Sequence, residues 1–132
     1  YRKKGFYPSA PQFITANGDH VRSKSETILA DTLTRLKIPY RYEFPLKLNI
    51  RGIIKTFHPD FYCLHLRTRR EYIWEHFGLL DDSDYAENVA QKIEIYHENG
   101  YFEGVNLLYT IETENTPLTT KHIEQIAKKF LL

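Results

Sequence analysis

Two carboxylates stand in stretches of sequence that otherwise have the character of buried strands. Asp60 directly precedes the apolar run FYCLHL (61–66), and Glu75 lies inside EYIWEHF (71–77). Both runs have the aromatic and aliphatic density of β-strands, and the polar residues 67–70 form a hairpin connection between them. Because paired strands lie about 4.8 Å apart, the two carboxylates can point at the same spot. Carboxylates side by side repel unless a proton or a cation lies between them, so a hard divalent cation with oxygen ligands is the natural occupant.

The alternation of side chains along a strand places Glu75 on the same face as Ile73 and Phe77. Trp74 and His76 then lie on the opposite face and pack under a helix. Two simpler interpretations stay open at this point. Asp60 is also an ordinary turn residue after a proline, and Glu75 is also a charge that protects an edge strand from aggregation.

A third acid, Glu26, lies on the apolar stripe of a helix predicted from about Ser23 to Leu36. This position allows Glu26 to join the other two carboxylates. The pattern Ser23-x-x-Glu26 is equally typical of a capping box, in which the glutamate reaches back to the start of the helix. The spacing alone does not separate the two interpretations.

Lys92 and Tyr96 are four residues apart and therefore share one face of a predicted helix. Lys92 can reach over the edge of the sheet toward the carboxylates, where it would orient a water molecule or steady a phosphate oxygen. The simpler interpretation is a solvated lysine beside Glu94 and a half-buried tyrosine. The histidines do not help, because they show no zinc-ligand spacing; they include His58, His65, His76 and His97.

The remaining elements must position these side chains, and their order predicts an α/β fold with a mixed sheet and helices on its faces. The segment from strand 71–77 through the following helix to strand 104–112 can form a parallel crossover unit. The other predicted elements are a strand over 40–50 broken at Pro45, a turn at 51–52, an extended stretch at 53–57, a strand at 61–66, a helix from about 84 to 99 ended by Gly100, and a last helix capped by Thr119 or Thr120.

The chain length and the positions of the turn residues predict one domain over residues 22–132. An irregular segment, 1–21, precedes it and contains a short hairpin at Asn17-Gly18. The chain of 132 residues begins at Tyr1 and has no methionine, from which we expect a piece of a longer protein.

Composition excludes several classes of protein. The net charge is only +1, so the overall charge does not indicate a nucleic-acid-binding protein. Binding of nucleic acid would depend on local basic patches. Basic residues cluster at Arg2-Lys3-Lys4, at Arg22 and Lys24, and at Arg67, Arg69 and Arg70, which are typical of solvated faces or turns. The single Cys63 allows no intrachain disulfide and fits a reducing cytoplasm. No apolar run approaches the length of about 18 residues that a membrane helix needs, so we expect no membrane association.

These elements, taken in order, resemble the PD-(D/E)xK nuclease superfamily. A helix glutamate (Glu26), a Pro59-Asp60 pair at the start of a strand and a carboxylate in the next strand (Glu75) match its order. Longer stretches are similar to a bacterial group of small nuclease-like domains in that superfamily: RSKSE (22–26), YRYEFPL (40–46), HPDF (58–61) and WEHFGLLDD (74–82). The resemblance covers roughly residues 20–112, and the Lys92-x-x-x-Tyr96 pair lies where RecB-like nucleases carry a helix motif.

The resemblance implies a restriction-endonuclease-like core and hydrolysis of phosphodiester bonds with Mg²⁺ or Mn²⁺. It implies that Asp60, Glu75 and the backbone carbonyl of His76 hold the metal, with Glu26 holding a second ion or a metal-bound water. One position departs from the superfamily: the lysine expected two residues after the second acid is Phe77. Lys92 on the following helix is the replacement that we expect, ahead of His76, which points to the other face.

The resemblance also implies DNA as the substrate, with RNA as an alternative, and a homodimer or additional domains as partners. Arg22 and Lys24, at the start of the first predicted helix, would contact phosphates. Tyr96 would support Lys92 or contact the phosphate backbone.

Two functions of other classes remain as alternatives. Phe77 in the lysine position favours a catalytically inactive nuclease fold that binds nucleic acid, and the aromatic content is compatible with a protein-interaction domain. Other enzyme classes have little support, because the sequence contains no G-x-S-x-G, P-loop, G-x-G-x-x-G or HExxH motif.

Overall fold

A computed structural model of the chain describes residues 13–21, 23–78 and 82–132. The described residues form three helices and eight strands, so the prediction of a mixed α/β fold is confirmed. In chain order the elements are β1 (Phe13–Ile14), β2 (His20–Val21), α1 (Lys24–Arg35), β3 (Tyr40–Tyr42), β4 (Leu46–Ile50), β5 (Ile53–Phe57), β6 (Phe61–Leu64), β7 (Glu71–Phe77), α2 (Ser83–Glu98), β8 (Leu107–Ile111) and α3 (Thr120–Phe130).

The central sheet has four strands in the order β3-β6-β7-β8. β3 and β7 both run antiparallel to β6, whereas β8 runs parallel to β7. The predicted parallel unit through α2 is therefore confirmed, and so is the predicted hairpin of β6 and β7. β7, which carries Glu75, is an inner strand of this sheet.

The stretch 40–50 is interrupted next to Pro45, as the sequence predicted, but its two parts are strands of different sheets. β3 joins the central sheet, while β4 pairs with β5 in a separate two-stranded hairpin. The chain changes direction between them at Glu43, whose φ of +56° lies in the left-handed region, and at Pro45. The turn at Arg51-Gly52 is confirmed, and both of its residues have positive φ.

The two faces of the central sheet carry separate cores because neighbouring residues of a strand point to opposite sides. On one face, Trp74 of β7 and Leu108 of β8 pack with α1 and α3 in the larger cluster. On the other face, Ile73 and Leu107 pack with Tyr96 of α2 and with Leu48 of the β4–β5 hairpin. The prediction that Trp74 packs under a helix is confirmed.

Local signals explain where the helices begin and end. The side chains of Ser23, Asp82 and Thr119 each accept a hydrogen bond from the backbone three residues later, which satisfies an otherwise unpaired N–H group. After α2, Gly100 adopts a φ of +86°, which ends the helix as predicted.

The short hairpin predicted at Asn17-Gly18 is present as β1 and β2, with Gly18 at a φ of +86°. Val21 at its end is fully buried in the larger core beside α1. The hairpin is thus packed onto the body of residues 23–132. Within the described ranges, no helix combines the length and the apolar character that crossing a membrane requires.

Candidate functional site

Asp60 and Glu75 meet across β6 and β7, as the sequence predicted. The register pairs Phe61 with Trp74, which brings the preceding Asp60 opposite Glu75. The Asp60 backbone N–H donates to Glu75 Oε1 at 2.8 Å, and the His76 backbone N–H donates to Asp60 Oδ2 at 2.9 Å. Each carboxylate is therefore held by the backbone of the other strand. Glu75 is completely buried on an inner strand, so the interpretation as an edge-strand charge does not fit.

Helix α2 supplies the remaining partners of Glu75. Lys92 Nζ forms an ion pair with Glu75 Oε2, and the Tyr96 hydroxyl donates to the same oxygen at 2.7 Å. Burial lowers the pKa of Lys92, but the charge and hydrogen bond of Glu75 outweigh it, and the pKa lies above its ordinary value. Lys92 is consequently a protonated cation at neutral pH. Burial and the neighbouring Glu75 charge raise the pKa of Tyr96 as well, so its hydroxyl remains a donor.

Tyr96 corrects one expectation. The side chain is fully buried, with its ring against Phe57 and Tyr101, so it does not reach a bound nucleic acid. Of its two expected roles, only support of Lys92 fits the structure, because the two residues share Oε2 of Glu75.

Phe77 occupies the position where the superfamily pattern expects a lysine. It lies on the Glu75 face of β7, is almost completely buried, and its ring packs 5.8 Å from that of Tyr109. Lys92 and Phe77 line the same cavity with Glu75. The positively charged side chain at this site is therefore Lys92 of helix α2, and β7 provides no lysine or arginine.

Glu26 fits both of the interpretations that the sequence left open. The Ser23 hydroxyl accepts from the Glu26 backbone N–H at 3.1 Å, as an N-cap side chain does, and donates to Glu26 Oε1 at 3.4 Å. The same carboxylate is 93% buried and accepts from the Tyr42 hydroxyl at 3.3 Å through both oxygens. Glu26 also lines a cavity with Asp60, so capping and a place in the site are compatible.

Glu43 is a fourth carboxylate of this region, which the sequence reasoning missed. It is completely buried, and its backbone N–H donates to the Asp60 carbonyl at 3.1 Å. Burial raises the pKa of Tyr42, and so do the charges of Glu26 and Glu43 beside its hydroxyl. The signal that could have identified it is an acid inside the aromatic run YRYEF, two residues before a proline.

Two cavities adjoin the carboxylates and share Asp60, His76 and Tyr85 among their lining residues. The first has a volume of about 440 Å³, and its other lining residues are Ser23, Ser25, Glu26, Gly78, Asp82 and Glu112. The second has a volume of about 320 Å³, and its other lining residues are Glu75, Phe77, Asn88, Val89 and Lys92. Asp60 thus lies where the space beside Glu26 meets the space beside Glu75.

His76 points away from Glu75, as strand alternation predicted. Its Nδ1 lies 2.7 Å from Thr110 Oγ1, and its Nε2 lies 2.9 Å from Glu112 Oε1. The Ser25 hydroxyl donates to the same Glu112 oxygen at 2.7 Å. Burial raises the pKa of Glu112, but the hydrogen bonds from Ser25 and His76 outweigh it and lower the pKa below its ordinary value. The sequence reasoning missed Glu112 and Ser25, since 87 residues separate them.

The residues expected to contact nucleic acid are only partly described. Lys24 is exposed at the first position of α1, beside the cavity that Ser23 and Ser25 line. Arg22, the other cation expected there, lies outside the described residues.

Asp60 and Glu75 carry oxygen atoms of the kind that a hard divalent cation prefers. Mg²⁺ binds through oxygen, usually keeps several waters, and needs only one or two carboxylates from the protein. Asp60 and Glu75 provide such a pair. Among the described residues, no group of three or more His, Cys, Asp or Glu side chains forms a metal-binding cluster.

Comparisons with known proteins find a similar sequence. The chain is 36% identical, over 111 residues, to the uncharacterized protein MJ1519 of Methanocaldococcus jannaschii. The aligned stretch covers 83% of this chain but only 9% of that relative. No family model matches the sequence, and no solved structure matches the chain.

Proposed function

We propose that this domain is a metal-dependent nuclease that hydrolyses phosphodiester bonds in DNA. One observation carries the proposal: a protonated lysine from a helix meets the paired carboxylates of two neighbouring strands. Lys92 lies against Glu75 Oε2, the Asp60 backbone N–H donates to Glu75 Oε1, and the His76 backbone N–H donates to Asp60 Oδ2. This constellation is the one that the resemblance to PD-(D/E)xK nucleases leads us to expect with Lys92 in place of the strand lysine. A restriction-endonuclease-like core and a cytoplasmic location are parts of the same proposal.

In this proposal Asp60 and Glu75, with the backbone carbonyl of His76, would hold Mg²⁺ or Mn²⁺. When bound, the metal would polarise a phosphoryl oxygen and lower the pKa of a coordinated water. Glu26, on the other side of Asp60, would hold a water molecule or a second ion within the cavity that both residues line.

Lys92 is suited to one part of this chemistry and unsuited to another. Because its pKa is raised, it carries a proton at neutral pH and does not act as a general base. As a cation it orients the attacking water through its N–H groups and offsets negative charge that develops on the phosphate. The Tyr96 hydroxyl donates to Glu75 Oε2, and this hydrogen bond holds the carboxylate in its position beside Lys92.

Cleavage of labelled DNA with Mg²⁺ or Mn²⁺ tests the proposal. Single-stranded, duplex and flapped substrates are incubated with the wild type, with Asp60→Asn and with Lys92→Ala. We expect metal-dependent cleavage by the wild type, a loss of about 10³-fold in Asp60→Asn, and a loss of about 10²-fold in Lys92→Ala. Lys121→Ala, an exposed lysine of α3, is the matched control and should cut at the wild-type rate.

Cleavage that persists in Asp60→Asn would assign the activity to a contaminant or to another site, and would refute the proposal. Unchanged cleavage by Lys92→Ala would leave the carboxylates in place but remove Lys92 from the mechanism. Circular dichroism and thermal unfolding of each variant show whether a loss of cleavage reflects the chemistry or the fold.

A second candidate function is a nuclease-like module that binds nucleic acid without cutting it. The specific observation in its favour is that protein donors already bond both oxygens of Glu75: the Asp60 N–H bonds one, and Lys92 with Tyr96 bonds the other. A wild type that binds DNA but cuts none of the substrates with either metal would select this function.

A further inference from the structure

A third cavity lies along β3, the edge strand of the central sheet, and has a volume of about 450 Å³. We call it the β3 groove and define it by its lining residues, which are Pro39, Tyr40, Arg41, Phe44, Tyr62, Cys63, Leu64 and Glu71. From this groove we infer, building on the proposed function, that the domain holds single-stranded DNA beside β3 and feeds it to Asp60.

The floor of the groove is aromatic. The Phe44 and Tyr62 rings lie 6.0 Å apart at 58°, and the guanidinium of Arg41 lies 4.9 Å above the Phe44 ring. Phe44 and Tyr62 are only half-buried, and Arg41 is exposed. Aromatic faces and a planar guanidinium are the groups on which unstacked nucleobases stack. A duplex presents only the edges of its bases in its grooves, so this floor suits a single strand.

The charge beside the groove is complementary to phosphate. Leu64 and Glu71, which line the groove, bracket the β6–β7 turn, and this turn carries three exposed arginines: Arg67, Arg69 and Arg70. Among the described residues, none of these three nor Arg41 belongs to an ion pair. Two acids lie nearby, since Tyr62 donates to Glu71 at 3.0 Å and Tyr40 donates to Asp19 at 2.8 Å, but the four arginines outnumber them.

The β6–β7 turn holds its backbone in a fixed shape. The His65 N–H donates to the Arg70 carbonyl at 2.9 Å, and the Arg69 N–H donates to the His65 carbonyl at 2.7 Å. The Thr68 N–H donates to the buried His65 ring at 3.3 Å. A fixed turn presents its arginines with less loss of backbone entropy on binding than a mobile loop would.

The groove and the carboxylates lie on the same face of the sheet. Tyr62 pairs with Ile73, and Ile73 alternates with Glu75 on that face of β7. Tyr62 follows Asp60 by two residues, a separation of about 6.6 Å along a strand. An unstacked single strand is more extended than a strand of duplex DNA, whose rise is about 3.4 Å per nucleotide, so a base stacked on Tyr62 leaves a phosphate about one or two nucleotides away near Asp60.

Binding measured without metal tests the inference separately from cleavage. Fluorescence anisotropy of labelled oligo-dT, in EDTA, is recorded over a series of salt concentrations. In the triple variant Arg67→Gln, Arg69→Gln, Arg70→Gln we expect at least tenfold weaker binding and a salt slope reduced by about 2, because each phosphate contact on a single strand contributes about 0.7. Phe44→Leu keeps an apolar side chain but removes the aromatic face, and should weaken binding by about 5- to 150-fold.

The matched control is the triple variant Lys121→Gln, Lys128→Gln, Lys129→Gln, which removes the same charge from α3 on the opposite face of the sheet. It should leave the affinity within about twofold of the wild type. Equal losses in both triple variants would mean that only overall charge matters, and would overturn the inference. Unchanged binding in the arginine variant and in Phe44→Leu would overturn it as well.

Tighter binding of duplex DNA or of oligo-U than of oligo-dT would overturn the assignment to single-stranded DNA. The two proposals fail in different ways. If the wild type cuts DNA while groove variants bind normally, the groove inference is wrong and the nuclease stands. If groove variants lose binding although the wild type cuts nothing, the groove stands and the nuclease is wrong.

Discussion

Glu26 and Glu75 are both buried carboxylates beside Asp60, but the protein holds them in different ways. Glu75 is on an inner strand, forms an ion pair with Lys92, and accepts bonds of 2.7 and 2.8 Å from Tyr96 and from the Asp60 backbone. Glu26 is in the first turn of α1, where hydroxyl groups of Tyr42 and Ser23 approach it at 3.3–3.4 Å. Hydrogen bonds from a hydroxyl to a carboxylate are usually 2.5–2.7 Å long.

The contacts of the two carboxylates differ in strength, and this difference shows how firmly Glu75 is held. Displacing Glu75 breaks an ion pair and two short hydrogen bonds in a buried environment, which is costly. Glu26 caps the start of α1 and lines the cavity of about 440 Å³ beside Asp60. We infer that Glu75 is a fixed part of the site, whereas Glu26 borders the space that a ligand would enter.

The largest expected effect is on cleavage and builds on the proposed function. Glu75→Gln keeps the shape of the side chain but removes the charge next to Lys92, so cleavage should fall by about 10²- to 10³-fold. Glu26→Gln should reduce cleavage by about tenfold, about 1.4 kcal/mol, because in the proposal it holds a water molecule or a second ion and not the first metal. Single-turnover cleavage of one labelled substrate by both variants measures the ratio. An equal loss of cleavage in the two variants would contradict the different roles of Glu75 and Glu26. Cleavage by Glu75→Gln at the wild-type rate would remove Glu75 from the mechanism.

The next largest expected effect is on the free energy of unfolding, and its measurement does not require that the protein cleaves DNA. Lys92→Met leaves the charge of Glu75 buried without its cation, so unfolding should become easier by about 3 kcal/mol, the lower end of the range for such pairs because the Lys92 side chain is 29% exposed. Tyr42→Phe, which removes the hydroxyl donor beside the buried Glu26 and Glu43, should cost about 1–2 kcal/mol, less than Lys92→Met. Urea unfolding near neutral pH measures both variants.

A double variant separates the ion pair from other losses of packing. Lys92→Met with Glu75→Gln should recover most of the stability lost in Lys92→Met alone, since no charge is then left buried. The exposed Lys121→Met should change stability by less than about 0.5 kcal/mol. Because the pKa of Lys92 is raised, its contribution is complete below the ordinary value of 10.5 and is lost only as the pH rises through the raised pKa. A stability loss in Lys92→Met that Glu75→Gln does not repair would refute the fixed ion pair.

Sequence reasoning was accurate wherever the deciding signal is local. The bounds of β7 follow from the density of EYIWEHF, and the start of α1 follows from Ser23. The meeting of Asp60 with Glu75 followed from strand alternation and one short hairpin connection. Lys92 followed from helical spacing, because a lysine four residues before Tyr96 must share its face.

The features that were missed depend on contacts between distant parts of the chain. The sequence predicted the break at Pro45, but the sheet that each part of 40–50 joins is decided by its partner, since β3 pairs with β6 while β4 pairs with β5. Glu43 lies at the break between them in a left-handed conformation. That conformation is typical of glycine, so a glutamate at this position does not predict it. Burial of Tyr96, which excludes it from contact with nucleic acid, likewise follows from its packing against the hairpin.

The smallest expected effect concerns Glu112, which joins the surroundings of the two carboxylates. It accepts from Ser25, the neighbour of Glu26, and lies 2.9 Å from His76, the neighbour of Glu75. Glu112→Gln should lower the free energy of unfolding by about 1 kcal/mol near neutral pH, because hydrogen bonds to a charged group are replaced by weaker ones. The measurement is urea unfolding of the wild type and the variant over a range of pH.

The sign of the pH dependence follows from the direction of the pKa shift. The folded protein holds the pKa of Glu112 below 4.5, so the ionised carboxylate stabilises the fold above that pH, and the stabilisation is lost as the pH falls through the lowered pKa. The difference between wild type and Glu112→Gln should therefore be full near neutral pH and disappear well below pH 4.5. Glu98→Gln, an exposed acid of α2, should differ little from wild type throughout. A Glu112→Gln difference that persists unchanged in acid would show that shape rather than charge joins α1 to β7, and the position of Glu26 would then not depend on the charge of Glu112.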